Sequence, residues 1–190
     1  MQILSKVSHR FSKFNRQRKL RFILNFIDSN RISICLIVGA IPRKNENYWE
    51  NIVESGLLNR LGPGVTFSGL DVDGGLWPIW VQADGRNLPF DDKSFDLVVS
   101  NAVIEHVGME DDQRLFTAEH ARVGKKWIIT TPNRFFPIES HTQIFFKHMA
   151  RRWSNETVTR LLSKGDLRTI LPEEAKIRGN FFAPTFLAHN

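Results

Sequence analysis

Short apolar runs alternate with helical segments along most of this chain, and each run stops at Gly, Asp, Asn or Pro. Residues 32–38 form a continuous apolar run closed by Gly39, the pattern of a strand buried on both faces of a parallel sheet. Residues 65–72 run into Asp71-Val72-Asp73-Gly74-Gly75, residues 80–83 into Asp84-Gly85, residues 95–100 into Asn101, and residues 126–131 into Pro132. Between them, 48–61 and 112–123 carry helical periodicity, and Gly62-Pro63-Gly64 breaks the first. Segments 156–163 and 165–170 read as helical, and 181–188 as a last strand. Regular alternation of this kind predicts an open α/β sheet with crossover helices. Such sheets bind ligands outside the carboxyl ends of their strands. The residues of interest therefore follow strands: Gly39, Asp71, Asp84, 100–106 and 132–141.

A chain of 190 residues holds one domain with at most an arm. Its 42% hydrophobic and 24% charged content excludes disorder as the main state. The net charge of +6 is concentrated at the start, where the first 31 positions hold eight Lys or Arg against the single acid Asp28. The remainder is close to neutral, which argues against a nucleic-acid binder. The expected organisation is a basic arm, 1–31, and a domain, 32–190. Within the arm, 8–27 reads as a helix with Phe11, Phe14, Arg18 and Phe22 at three- and four-residue spacing. It could pack on the domain edge or contact an anionic membrane surface. No run approaches the ~20 apolar residues of a membrane span. The single cysteine, Cys35, lies in an apolar run and fits a reducing, cytoplasmic setting. His9, His120, His148 and His189 have no companions at ligand spacing, so no metal is expected.

Asp71, at the end of the second strand, has the position of an acid that accepts both hydrogen bonds of a ribose diol. Asp84-Gly85 reads equally as a turn or as an acid facing an adenine amine, with the glycine allowing close backbone approach. The turn after the first strand, Gly39-Ala40-Ile41-Pro42, lacks the Gly-x-Gly-x-x-Gly of nicotinamide dehydrogenases.

The order of these features carries more than any one of them. Leu88-Pro89-Phe90, Ser94-Phe95-Asp96 and Ser100-Asn101-Ala102-Val103-Ile104-Glu105-His106-Val107 follow one another, and Thr131-Pro132-Asn133 through His141 come later. This succession resembles the class I S-adenosylmethionine-dependent methyltransferases over about residues 32–190. The resemblance implies a Rossmann-like α/β fold: an open, mostly parallel seven-stranded sheet, its last strand antiparallel, with helices on both faces. It implies S-adenosylmethionine as cosubstrate. Carried over by position, Gly39 faces the methionine part, Asp71 the ribose and Asp84 the adenine amine with Gly85 beside it. Asn101 borders the methionine and the transferable methyl. The family's usual acid and Gly-x-Gly-x-Gly are reduced here to one glycine. A related branch reads Gly-Gly-Thr-Pro and then Trp, which Gly39-Ala40-Ile41-Pro42 and Trp49 resemble.

Methyl transfer needs a base only when the acceptor atom is protonated. Candidates are His106, and Glu139 and His141 in the aromatic-rich loop after the fifth strand, where this class often builds its acceptor pocket. The expected acceptor is a small molecule, lipid or saccharide precursor. The alternative is a non-catalytic or partner-dependent module on the same fold, or a peripheral membrane scaffold.

Overall fold

The computed structural model describes residues 2–42, 51–136 and 160–190. In chain order the described elements are α1 (Gln2–Asn30), β1 (Cys35–Val38), α2 (Ile52–Leu61), β2 (Val65–Gly69), β3 (Trp80–Gln82) and β4 (Phe95–Asn101). They continue with α3 (Glu110–Val123), β5 (Gly124–Pro132), α4 (Lys164–Ile170), β6 (Lys176–Arg178) and β7 (Thr185–His189). The strands form one seven-stranded sheet in the order β3-β2-β1-β4-β5-β7-β6. Pairing is parallel from β3 through β5, and β7 runs antiparallel to both β5 and β6. This is the architecture that the alternating pattern and the family resemblance imply. The short edge strand β6, Lys-Ile-Arg, has no apolar run to announce it.

The two-residue period of the strands divides the core between two faces. Cys35, Ile37, Phe67, Leu97, Val99 and Ile128 pack with Val53 and Leu57 of α2 and with Ile23 and Ile27 of α1. Leu36, Val38, Val98, Trp127 and Ile129 pack on the other face with Phe116, Val123, Leu167 and Ile170. Burying a side chain of this size contributes roughly 1.5–3 kcal/mol. Burial also pushes the Cys35 thiol far above its ordinary range, so it is an inert core group.

Helix α1 differs from its sequence reading in length and in phase. Phe14 is 63% exposed and Arg18 is exposed, so the stripe through these residues is not the packed one. The buried line is Ser12, Asn15, Lys19, Ile23 and Ile27. Three of its five members are polar, which is why hydropathy periodicity selected the wrong face. The boundary at residue 31 thus divides stretches that share one core. No described helix is long and apolar enough to cross a membrane.

The Leu88–Phe90 segment is held by a clamp on α3. Glu119 accepts a hydrogen bond from the Leu88 amide, and Arg122 donates to the Leu88 and Phe90 carbonyls while pairing with Glu119 and Asp92. The planar guanidinium makes these contacts at once, which an ammonium cannot. Arg122→Lys is therefore expected to lower unfolding stability in urea by about 1–2 kcal/mol, the exposed part of the site reducing the full value of a charged hydrogen bond. An unchanged midpoint would show that the clamp is dispensable.

Candidate active site

The carboxyl ends of β1, β2, β3 and β4 lie side by side, and most of the residues singled out in the sequence fall along this edge. Gly39 follows β1 in the left-handed region, φ +76°. A Cβ there would lie 2.5 Å from a Val103 methyl, so the glycine lets the segment after β4 close directly over the turn. Ala40 continues the strand, its amide donating to the Ser68 carbonyl. Trp77 stacks on Phe67, centroids 4.1 Å apart, and donates to the Ile41 carbonyl. The turn is thereby fixed from beneath by packing, in place of the usual glycine-rich loop.

Asp71 is exposed just past β2. Its carbonyl accepts from Trp80 Nε1, and its carboxylate has no hydrogen-bond partner among the described residues. Asp73 is different: its carboxylate accepts the Gly75 amide and so closes a local turn.

Asp84 follows β3 but is engaged. Arg86 donates to both of its carboxylate oxygens and also reaches Asp112 on α3. The hydrogen bonds from Arg86 hold the Asp84 carboxyl below the usual carboxylate range. Gly85 has a packing reason of its own, since a Cβ would sit 2.5 Å from the Phe116 ring and 2.9 Å from Val38. The turn reading of Asp84-Gly85 is thus realised in the geometry, and the acid has less acceptor capacity left than Asp71.

Asn101 ends β4 at the centre of a polar cluster. Its Oδ1 accepts from Lys19 Nζ at 2.5 Å and from Thr130 Oγ1 at 3.0 Å, and its Nδ2 donates to Glu54 Oε1 at 3.0 Å. Helices α1 and α2 and strands β4 and β5 converge on this one amide. The other oxygen of Glu54, Oε2, is buried without a hydrogen-bond partner among the described residues. Burial lowers the Lys19 pKa to about 8, partly offset by the negative charges of Glu54 and Glu105. Glu105 is fully buried and accepts from Thr131 Oγ1. After Asn101 the chain turns through Ala102 at φ +59°, a conformation that costs a non-glycine residue about 1–2 kcal/mol.

Lys19, Glu54 and Glu105, which gather around this strand end, were not singled out in the sequence. Glu54 restores an acid near the first turn, but from the first turn of α2 rather than from the strand. Its only sequence signal was that of a helix-start acid. Lys19 had none, because it acts across 82 positions of chain.

His106 ends a 3-10 turn, Ile104–His106, after β4 and is exposed. The other candidate bases, Glu139 and His141, lie outside the described residues. His120 is buried against Phe116, whose carbonyl its Nδ1 meets. Burial lowers its pKa to about 4, so the ring is neutral at physiological pH and belongs to the core. Asn133, from the segment after β5, is also structural: its side chain donates to the Phe181 and Ala183 carbonyls and accepts the Phe135 amide.

The fold and this edge can be set against known proteins. A family model described as "Methyltransferase domain" matches residues 66–127, from β2 into β5. No curated protein matches the chain. Among solved structures, an S-adenosylmethionine-dependent methyltransferase from Clostridium acetobutylicum superposes with a TM-score of 0.61 at 13% identity, covering 97% of each chain. A possible histamine N-methyltransferase from Thermotoga maritima gives 0.62 at 14% identity, covering 96% of this chain and 90% of that one. A magnesium protoporphyrin IX methyltransferase from Synechocystis PCC 6803 with bound SAH gives 0.55 at 13% identity, covering 93% and 83%. At these identities the structural likeness speaks for the fold alone. Over residues 66–127 the chain is similar to a methyltransferase domain, and its fold is that of the S-adenosylmethionine-dependent methyltransferases it superposes on.

Proposed function

We propose that this chain moves a methyl group from S-adenosylmethionine to a small-molecule, lipid or saccharide-precursor acceptor in the cytoplasm. The observation that carries the reading is acceptor capacity left over along this edge: among the described residues neither the carboxylate of Asp71, past β2, nor the buried Oε2 of Glu54, in the first turn of α2, has a hydrogen-bond partner. The donor's polar groups suit these residues, since a ribose diol and an α-ammonium both donate hydrogen bonds. When bound, the donor supplies an activated sulfonium methyl and a neutral leaving group.

The chain's part is then orientation and exclusion of water, worth several kcal/mol by proximity alone. Asp71 would accept from the ribose diol and Glu54 from the α-ammonium. Asn101, fixed by Lys19, Glu54 and Thr130, forms a rigid wall where the methyl is presented. Gly39 borders the methionine part through its backbone. Asp84 and Gly85 border the adenine, with Asp84 sharing its carboxylate with Arg86. For a hydroxyl acceptor the proton would pass to His106, Glu139 or His141. The family match gives no support to the alternative of a non-catalytic module.

Incubation with donor tritiated on its methyl tests the proposal. Label should move into one of three acceptor pools: small metabolites, extracted lipids or sugar nucleotides. Label that stays on the donor in all three refutes it.

A further inference from the structure

A second polar feature lies beside the Asn101 cluster and is not explained by donor binding. A cavity of about 250 Å³ opens between α1 and the β6–β7 hairpin. Its lining includes Arg18, Lys19 and Arg178, with Asn15, Phe22 and Thr185. Among the described residues no carboxylate lines it. Arg18 and Arg178 have no ion-pair partner among the described residues, although the Arg178 guanidinium lies 4.8 Å from the centre of the Phe22 ring. Lys19 is countered by Glu54 and Glu105, so the two guanidiniums, without an ion-pair partner among the described residues, leave a local excess of positive charge at the cavity. Such an excess in a concave, partly apolar site raises the local concentration of anions.

The sheet register ties this cavity to the methyl-transfer edge. Asn101 pairs with Thr130, Thr130 with Leu187, and Leu187 with Arg178. These four residues form one lateral row across β4, β5, β7 and β6. Leu187 lines the cavity and lies two strand spacings, roughly 10 Å, from Asn101. Lys19 bridges the interval: it lines the cavity and donates to Asn101 Oδ1. A molecule with one end in the cavity could therefore present its other end beside Asn101.

We propose that the cavity between α1 and the β6–β7 hairpin is the acceptor subsite and that it takes an acceptor bearing an oxyanion, a carboxylate or a phosphate, held by Arg18 and Arg178. This rests on the methyltransferase reading and narrows the acceptor class. It also gives the basic charge of α1 a task within the domain. Arginine suits the role because its planar donors match both oxyanions bidentately.

The test uses the full, isotopically labelled chain and reads amide shifts during titration with inorganic phosphate, with acetate as a parallel arm. Phosphate or acetate should shift Arg18, Gly179 and Thr185 saturably, and the arm that saturates at lower concentration names the oxyanion. Arg18→Gln/Arg178→Gln, both at exposed positions, should weaken that binding at least tenfold and leave the affinity for S-adenosylhomocysteine unchanged. Three outcomes overturn the proposal: non-saturating shifts spread over all of α1, a double variant that binds as the parent does, or binding only to phosphatidylglycerol vesicles. A parent chain that binds phosphate in the cavity but not S-adenosylhomocysteine would instead refute the methyltransferase reading.

Discussion

Lys19→Met should abolish a rise in folding stability that the parent chain shows between pH 8 and 10.5. In the unfolded chain Lys19 keeps its proton up to its ordinary value of 10.5, whereas in the folded chain burial lowers its pKa to about 8. Below pH 8 both states are charged, and the cost of burying the ammonium is fully present. Between the two values the unfolded chain binds more protons, so stability climbs with pH until the lysine is neutral in both states. A separation of this size corresponds to ~3 kcal/mol. Methionine keeps most of the side-chain volume without the charge. The other lysines and the single tyrosine titrate in both proteins and cancel in the difference between them. Urea unfolding at pH 7.5, 9 and 10.5 measures it. Parallel curves for parent and variant would mean that Lys19 is not buried against Asn101, and the four-element cluster would fall with it.

Asp71→Ala is expected to weaken donor binding tenfold to a hundredfold while leaving the melting temperature in place. A hydrogen bond lost to a ligand group left unpaired typically costs about 1–3 kcal/mol, and each 1.4 kcal/mol is a factor of ten. The fold should not register the change, because this exposed carboxylate has no hydrogen-bond partner among the described residues. Asp84→Ala behaves differently, since it strips Arg86 of the partner that closes the turn and leaves it to Asp112 alone. That pair is more than one-third exposed on both sides, so the stability effect is small. Equal losses of donor affinity in the two variants would mean that Arg86 yields Asp84 to the ligand.

The central strands were legible because they are apolar and their ends carry turn residues, whereas the edge strand β6, Lys-Ile-Arg, was not. Each run from Cys35 to Thr131 is stopped by a residue that chemistry reserves for strand ends. The motif from Leu88 to Val107 was legible as a family pattern, yet several of its members serve the fold. Leu88 and Phe90 lend their backbone to Glu119 and Arg122, and Gly85 makes room for Phe116. A sequence shows that such residues belong together without showing which of them face a ligand. The phase of α1 was misread because its inner face carries Asn15 and Lys19, whose partners Thr185 and Asn101 are distant in sequence. A polar residue inside a helix stripe reads as surface until the strand end that satisfies it is known. Asp84 was legible both as a turn residue and as an acid facing a ligand. Its neutralising partner, Arg86, stands two residues on, and only the turn geometry brings the two together.

Donor binding is assigned to the carboxyl edge around Asp71, Glu54 and Asn101. Calorimetric titration of S-adenosylhomocysteine into the full chain tests it most directly, because the product analogue needs no knowledge of the acceptor. The account predicts saturable one-to-one binding that Asp71→Ala weakens at least tenfold. Absence of binding heat at several temperatures, or binding that Asp71→Ala leaves unchanged, would contradict it.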